Sequence, residues 1–203
     1  MTGVQTCALP IWGVGCAAPE AAREAERCGE DRLVTRLDRR EPYPCPFGGL
    51  LTGPSPVDRA RTGSKHHLLV DASGIPLAVS LTGGNRNDVT QLIPLLEDLH
   101  ARPVAGKQGR PRQKPDRVLA DRGYDHDKHR RLLRALGITP VIARRGTAHG
   151  SGLGRERWVV ERGFAHLHNF RRLRIRYERD PDMHTAFLTL ACSILCWRRL
   201  QSF

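Results

Sequence analysis

Residues 65–82 constrain the fold more than any other stretch of the chain. Lys65 to Ala72 (KHHLLVDA) and Ile75 to Thr82 (IPLAVSLT) are β-rich runs separated only by Ser73-Gly74. So short a connection, made of turn-forming residues, joins neighbouring strands antiparallel. Parallel neighbours would need a crossover of about a dozen residues or more. The sheet is therefore expected to be mixed, with an all-parallel doubly wound sheet as the alternative.

The pattern after the hairpin adds helices and single strands in turn. Gly83 to Asn87 is a loop, and Asp88 stands at an N-cap position before Val89, Leu92, Ile93, Leu95, Leu96 and Leu99, which have helical spacing. Residues 101–115 are rich in Pro, Gly and basic residues and read as a loop. Arg117 to Ala120 is a short apolar strand, Asp127 to Leu136 a helix closed by Gly137, and Thr139 to Ala143 another strand. A basic loop leads to a helix from about Glu156 to Leu173, an extended piece from Arg174 to Arg179, and a last helix from Asp182. Trp158 and Trp197 read as core residues. This order predicts one α/β domain whose mixed sheet is flanked by helices.

Thirty-three Lys and Arg against 21 Asp and Glu give a formal charge of +12, which favours a polyanionic partner. Nucleic acid fits better than a membrane surface, because the cations are spread over every element instead of lining one helix stripe. No run reaches the roughly 18 apolar residues of a membrane span, and the opening residues lack a secretory leader pattern. The expected location is cytoplasmic. Cys192 and Cys196, four apart on an apolar helix, read as small core residues and not as a metal pair.

Two carboxylates carry the chemical signal. Asp121 ends the apolar run Val118-Leu119-Ala120 and precedes Arg122-Gly123-Tyr124, so it emerges at the carboxyl edge of the sheet, where ligands gather in α/β folds. Glu161 lies within a basic helix between Arg157 and Arg162. Taken alone, Asp121 is equally readable as a solvated strand end, and Glu161 as the partner of an i,i+4 pair with Arg157. Taken together on a basic protein, they suggest a site for Mg²⁺ or Mn²⁺, hard ions that prefer oxygen ligands. Arg157, His168, Arg171, Arg172 and Lys65 are then candidates for contacts to DNA phosphates. Asp71 reads as a turn residue, and Asp125, His126 and Asp127 as the cap of the next helix.

The hairpin, the segment LADRGYD at 119–125 and the Arg157-x3-Glu161 helix resemble the catalytic part of bacterial insertion-sequence transposases of the IS4/IS5 type, a DDE family. The resemblance runs from about Leu51 to Leu200 and includes TGPSPVDRARTGSKHHLLVDASGIPLAV and GGNRNDVTQLIPLL. It implies a ribonuclease-H-like fold and a triad of two aspartates and a glutamate that bind divalent metal. It also implies cleavage and strand transfer on duplex DNA, at element ends and target, by a homo-oligomer in the bacterial cytoplasm, associated with the nucleoid. Asp121 matches the second aspartate and Glu161 the glutamate. The signature Y-x2-R-x3-E-x6-K is half kept, with Gly154 at the Tyr position and His168 at the Lys position.

The first aspartate is expected on a strand upstream of Leu50, where Leu37 to Pro46 (LDRREPYPCP) shows no strand alternation and three prolines. Asp38 is the one aspartate nearby, in a setting unlike a strand. A one-base shift in a possible coding of Asp38 to Pro46 reads I-D-A-S-H-I-R-A, an apolar strand with an aspartate. Thr2 to Ile11 can be encoded by a sequence resembling a common short-read adapter. We therefore expect residues 1–47 to be a non-native, disordered segment (1–11 adapter, 12–47 out of frame, or a programmed frameshift). Residues 48–203 would be a catalytic domain lacking its proper first strand, weakly active or inactive. The alternatives are an inactive DNA-binding remnant and a ribonuclease-H-like nuclease that does not transpose.

Overall fold

The computed structural model describes residues 34–39, 42–101, 113–146 and 154–201. Its centre is the predicted hairpin, β4 (Thr62–Val70) and β5 (Pro76–Gly83), paired antiparallel with His66 opposite Leu81 and Leu68 opposite Val79. The turn forms because Asp71 Oδ1 accepts hydrogen bonds from the amides of Ser73 and Ile75 at 2.9 and 2.8 Å. Gly74 takes the left-handed φ of +85° there, and an added Cβ would meet Val159 Cγ1 at 3.1 Å. Both local chemistry and a close neighbour therefore select Gly at this position.

On the other side of β4 lies β1 (Val34–Arg39), antiparallel to it with Asp38 opposite Leu68. β1 is in turn parallel to β6 (Arg117–Ala120), and β6 is parallel to β7 (Thr139–Ile142). Two-residue strands β2 (Tyr43–Pro44) and β3 (Gly53–Pro54) pair with the start of β4. The long strands thus run β5-β4-β1-β6-β7 in a seven-stranded mixed sheet. The expected sheet without its first strand is corrected here, since residues 34–39 fill the slot between the hairpin and β6. Pro42, Pro44 and Pro46 all follow this strand, so none of them interrupts its ladder. Of residues 1–47, 34–39 form β1 and 42–47 are described with β2 at Tyr43–Pro44, while residues 1–33, 40 and 41 lie outside the described ones.

Helices cover both faces. α1 (Leu92–Ala101) places Leu92, Leu95, Leu96 and Leu99 against Leu69, Leu77, Ala78, Val118 and Ala120 of the sheet, with Leu133 of α2 (Asp127–Ala135) in the same cluster. On the opposite face, Val159, Val160, Phe164 and Leu167 of α3 (Gly154–His168) meet Leu68 and Val70. Leu173 of α4 (Arg171–Arg174) and Leu188, Ala191 and Cys192 of α5 (Pro181–Gln201) complete this second cluster. Strand alternation explains the division, because consecutive β4 side chains point to opposite faces. Each buried Leu contributes about 1.5–3 kcal/mol of transfer free energy, so the two clusters are what fixes the helices on the sheet.

Several local expectations change. The helix expected from Glu156 to Leu173 ends at His168, because Phe170 is extended, with φ −82° and ψ 113°, and starts the separate α4. Residues 175–179 form no regular element, with Ile175 extended at φ −137° and ψ 128°. Trp197 is 61% exposed, not core, and the Trp158 side chain lies outside the described ones. No helix among the described residues is long and apolar enough to cross a membrane.

Candidate active site

Asp121 leaves β6 in an extended conformation, φ −68° and ψ 165°, and its side chain accepts the Arg122 amide to cap a short 3₁₀ turn, Arg122–Tyr124. Tyr124 is fully buried beneath that turn and fixes it. Val118 and Ala120 point into the α1 face, so alternation turns Asp121 to the α3 face. Half-buried there, it is the residue the sequence placed at the carboxyl edge.

The register supplies a neighbour that the sequence had named and set aside. Leu37 is level with Ala120 across the parallel pair, so Asp38 and Asp121, the next residues, stand side by side on strands about 4.8 Å apart. On its other flank Asp38 is opposite Leu68, a member of the α3-facing cluster. Asp38, which the sequence set aside as unlike a strand residue, is thus on a strand and level with Asp121.

α3 brings Glu161 over the same face. Gly163 lets the helix approach closely, since a Cβ there would sit 3.2 Å from Leu68 Cδ2. Arg162 Nη2 donates to the Ser73 carbonyl at 2.9 Å and ties the helix to the hairpin turn. With Val159, Val160 and Phe164 buried beneath, Glu161 is on the exposed side of its turn. Glu161 therefore belongs to the helix packed on the strand that carries Asp38.

Other candidates are placed differently. Lys65, expected at DNA, is buried: its Nζ lies 3.2 Å from Asp88 Oδ1 and donates to the Arg86 carbonyl at 2.9 Å. That ion pair keeps the ammonium from a phosphate, so the expectation is corrected. Asp88 in turn is not the N-cap, because Asn87 accepts from the Val89 amide instead. The Lys65–Asp88 pair anchors the loop after β5, whose 3₁₀ turn Asp88–Gln91 packs on the turn after Asp121. His168 is half-buried, with its Nε2 hydrogen-bonded to the Tyr43 hydroxyl. Arg171 and Arg172 are exposed on α4, and Arg172 Nη1 lies 3.1 Å from Glu178 Oε1. Arg157 is in the first turns of α3, and its side chain lies outside the described ones.

The remaining acidic cluster is structural. Asp125 receives Arg130 Nη2 at 2.6 Å and the Arg145 amide at 2.7 Å. Burial draws its carboxyl upward, but the Arg145 amide and the Arg130 guanidinium outweigh this and hold it below its ordinary value. Among the described residues no group of three or more His, Cys, Asp or Glu is gathered to hold a metal.

Sequence reasoning missed the buried polar layer beside this site. His66 Nε2 lies 2.9 Å from His184 Nε2, and His184 Nδ1 lies 3.1 Å from Glu178 Oε2. Burial, then the charge of His184, pushes the His66 ring well below its usual value. Arg176 is 1% exposed and donates to five acceptors. Only the alternation of β4, which buries both faces, hinted that His66 and His67 would need internal partners.

Comparison with known proteins gives the family. Residues 50–196 match the model of the family described as Transposase DDE domain. The chain is 55% identical over 188 residues to a protein of Burkholderia cepacia named as transposase for insertion sequence element IS402, covering 93% of this chain and 88% of that one. That span reaches into the first 47 residues. A protein of Brucella ovis named as transposase for insertion sequence element IS6501 is 28% identical over 143 residues, 67% of this chain and 98% of that one. Among solved structures, the catalytic domain of the Mos1 mariner transposase aligns at a TM-score of 0.47 and 12% identity, over 99% of this chain and 91% of that one.

Proposed function

The chain belongs to the DDE transposase domain family and is an insertion-sequence transposase, and from that premise we propose that Asp38, Asp121 and Glu161 form its active site. The observation that carries this reading is the parallel register, which sets Asp38 beside Asp121 on the face covered by the helix of Glu161. Three carboxylates are a hard-oxygen donor set suited to Mg²⁺ or Mn²⁺. A divalent ion held there would supply Lewis acidity, activating a water or 3′-hydroxyl and offsetting charge on the leaving oxygen.

The protein's own residues do the remaining work. Asp121 is oriented by the Arg122 amide and braced by the buried Tyr124. The short turn Arg122–Tyr124 holds its backbone rigid, so the carboxylate meets substrate without reorganising. Arg171 and Arg172 lie exposed on α4, the element after the Glu161 helix, and serve duplex phosphates as positioning contacts. Arg157 joins them by its place one helical turn before Glu161. The +12 charge adds long-range attraction to DNA. We place the chain in the IS4/IS5 group, acting in the bacterial cytoplasm as a homo-oligomer on paired element ends and a target.

Manganese binding to the full chain, followed by electron paramagnetic resonance, tests this assignment. Asp121→Asn and Glu161→Gln are each expected to weaken binding by more than the roughly 10- to 100-fold that loss of an outer-shell partner costs. Asp38→Asn should match them. An inactive DNA-binding remnant would show no site-specific manganese affinity, and all variants would bind as the parent does.

A further inference from the structure

Beyond the carboxylate site, the loop between β2 and β3 presents an apolar tip that no core claims. Phe47, Leu50 and Leu51 are 63%, 73% and 48% exposed, and Tyr177 beside them is 44% exposed. The Phe47 and Tyr177 rings lie 6.4 Å apart at 44°. Exposed aromatic side chains brought together from two segments are costly in water and mark an interaction surface.

The tip is held, not loose. Arg176 donates to the carbonyls of Leu50 at 2.8 Å and Leu51 at 3.2 Å from one side, and to those of Glu178 and Arg179 from the other. Its fifth bond, 2.8 Å to Ser64 Oγ, fastens this clip to β4. Gly49, at φ +123°, lies so close that a Cβ would meet the Arg179 carbonyl at 2.2 Å. A buried guanidinium therefore sets the aromatic pair in one position.

Cations flank it along the chain. Arg171, Arg174 and Arg179 are exposed before and after Tyr177, and Arg59 and Arg61 are exposed on the loop between β3 and β4 that follows the Phe47 loop. A second copy of this +12 chain would bring more positive charge against them, whereas phosphates would be attracted. Aromatic faces interleaved with arginines are the combination that binds unpaired nucleotides, bases stacking on rings while cations follow the backbone. β2 pairs with β4 at Ser64, beyond His67, which is level with Arg39 at the end of β1. The tip therefore lies off the same sheet edge from which Asp121 emerges.

We propose that Phe47 and Tyr177, set by the Arg176 clip, form a stacking platform for an unpaired base of DNA at the edge of the active site. The inference rests on the DNA-acting reading above. Its test uses the full chain and two probes: a blunt duplex, and the same duplex with a short 3′ overhang carrying 2-aminopurine. The expected result is quenching of the fluorophore on binding, and tighter binding of the overhang than of the blunt duplex. Both effects should be lost in Phe47→Ala/Tyr177→Ala, with a fall in overhang affinity of roughly 5- to 150-fold, the range for one stacked base. Blunt-duplex affinity and the thermal midpoint should not move, because both side chains are exposed. Overhang binding unchanged in the double variant, with duplex binding intact, overturns the platform alone. Failure of the parent to bind either DNA overturns the platform together with the DNA-acting reading. A parent that sediments as a dimer, dissociated by the double substitution while overhang affinity is unaltered, assigns the tip to a second copy and overturns the platform.

Discussion

Replacing Arg176 by Met removes the clip between residues 50–51 and 178–179 while keeping much of the side chain's apolar volume. The guanidinium donates five hydrogen bonds, to Leu50, Leu51, Glu178 and Arg179 carbonyls and to Ser64 Oγ. At about 1.5–3 kcal/mol for each bond to a charged group, the gross loss would approach the roughly 5–15 kcal/mol of a whole domain. Two effects offset it. The variant no longer buries a charge, which relieves several kcal/mol of desolvation, and the Leu50 and Leu51 carbonyls sit on exposed residues that water can reach. The expected net loss is about 3–5 kcal/mol, similar to breaking a buried ion pair. For a chain of this size that lowers the thermal midpoint by roughly 6–20 °C, read by far-ultraviolet circular dichroism. Hydrogen exchange should also accelerate at the amides of 48–52. A midpoint within about 2 °C of the parent's, with unchanged exchange, would refute the clip.

Acid should weaken the fold through the buried histidines. Burial lowers His67 from 6.5 to about 4 and pushes His66 down as well, so the unfolded chain gains protons below 6.5 before the folded one does. Stability is complete above that value and is lost as the pH falls from it toward 4, by about 2 kcal/mol from His67 alone at about pH 5. Urea unfolding at pH 7 and pH 5 measures this, and a midpoint that holds or rises at pH 5 contradicts it. Lys65→Met should cost roughly 3–5 kcal/mol by leaving Asp88 buried without its cation. It should leave the salt dependence of DNA binding unchanged, whereas Arg171→Ala should reduce that slope by about 0.9. Salt titrations of the two variants separate these roles, and the reverse pattern would restore Lys65 as the phosphate contact.

The hairpin and its flanking helices were legible because each rests on local chemistry. The Asp71 turn, the leucine spacing of α1 and the glycine after α2 all act within a few residues. β1 was not, because Val34-Thr35-Arg36-Leu37 is short and polar, and only its neighbours on both sides make it a central strand. Prolines just downstream obscured it further, although they lie outside its ladder. Asp121 and Glu161 could be named because their segments carry a family pattern. Lys65 could not be assigned correctly, since its partner Asp88 is 23 residues away and stands where a helix cap is also plausible. Arg176 was invisible for the same reason, with acceptors more than a hundred residues back along the chain.

The central claim is that Asp38, Asp121 and Glu161 act together on DNA. Incubating the purified chain with a duplex carrying its element end, in the presence of Mn²⁺, measures this most directly. The account predicts nicking at the element boundary by the parent and its abolition in Asp38→Ala, Asp121→Ala and Glu161→Ala alike. Cleavage that survives Asp121→Ala and Glu161→Ala would remove the site, and cleavage lost in those two but retained in Asp38→Ala would remove Asp38 from it.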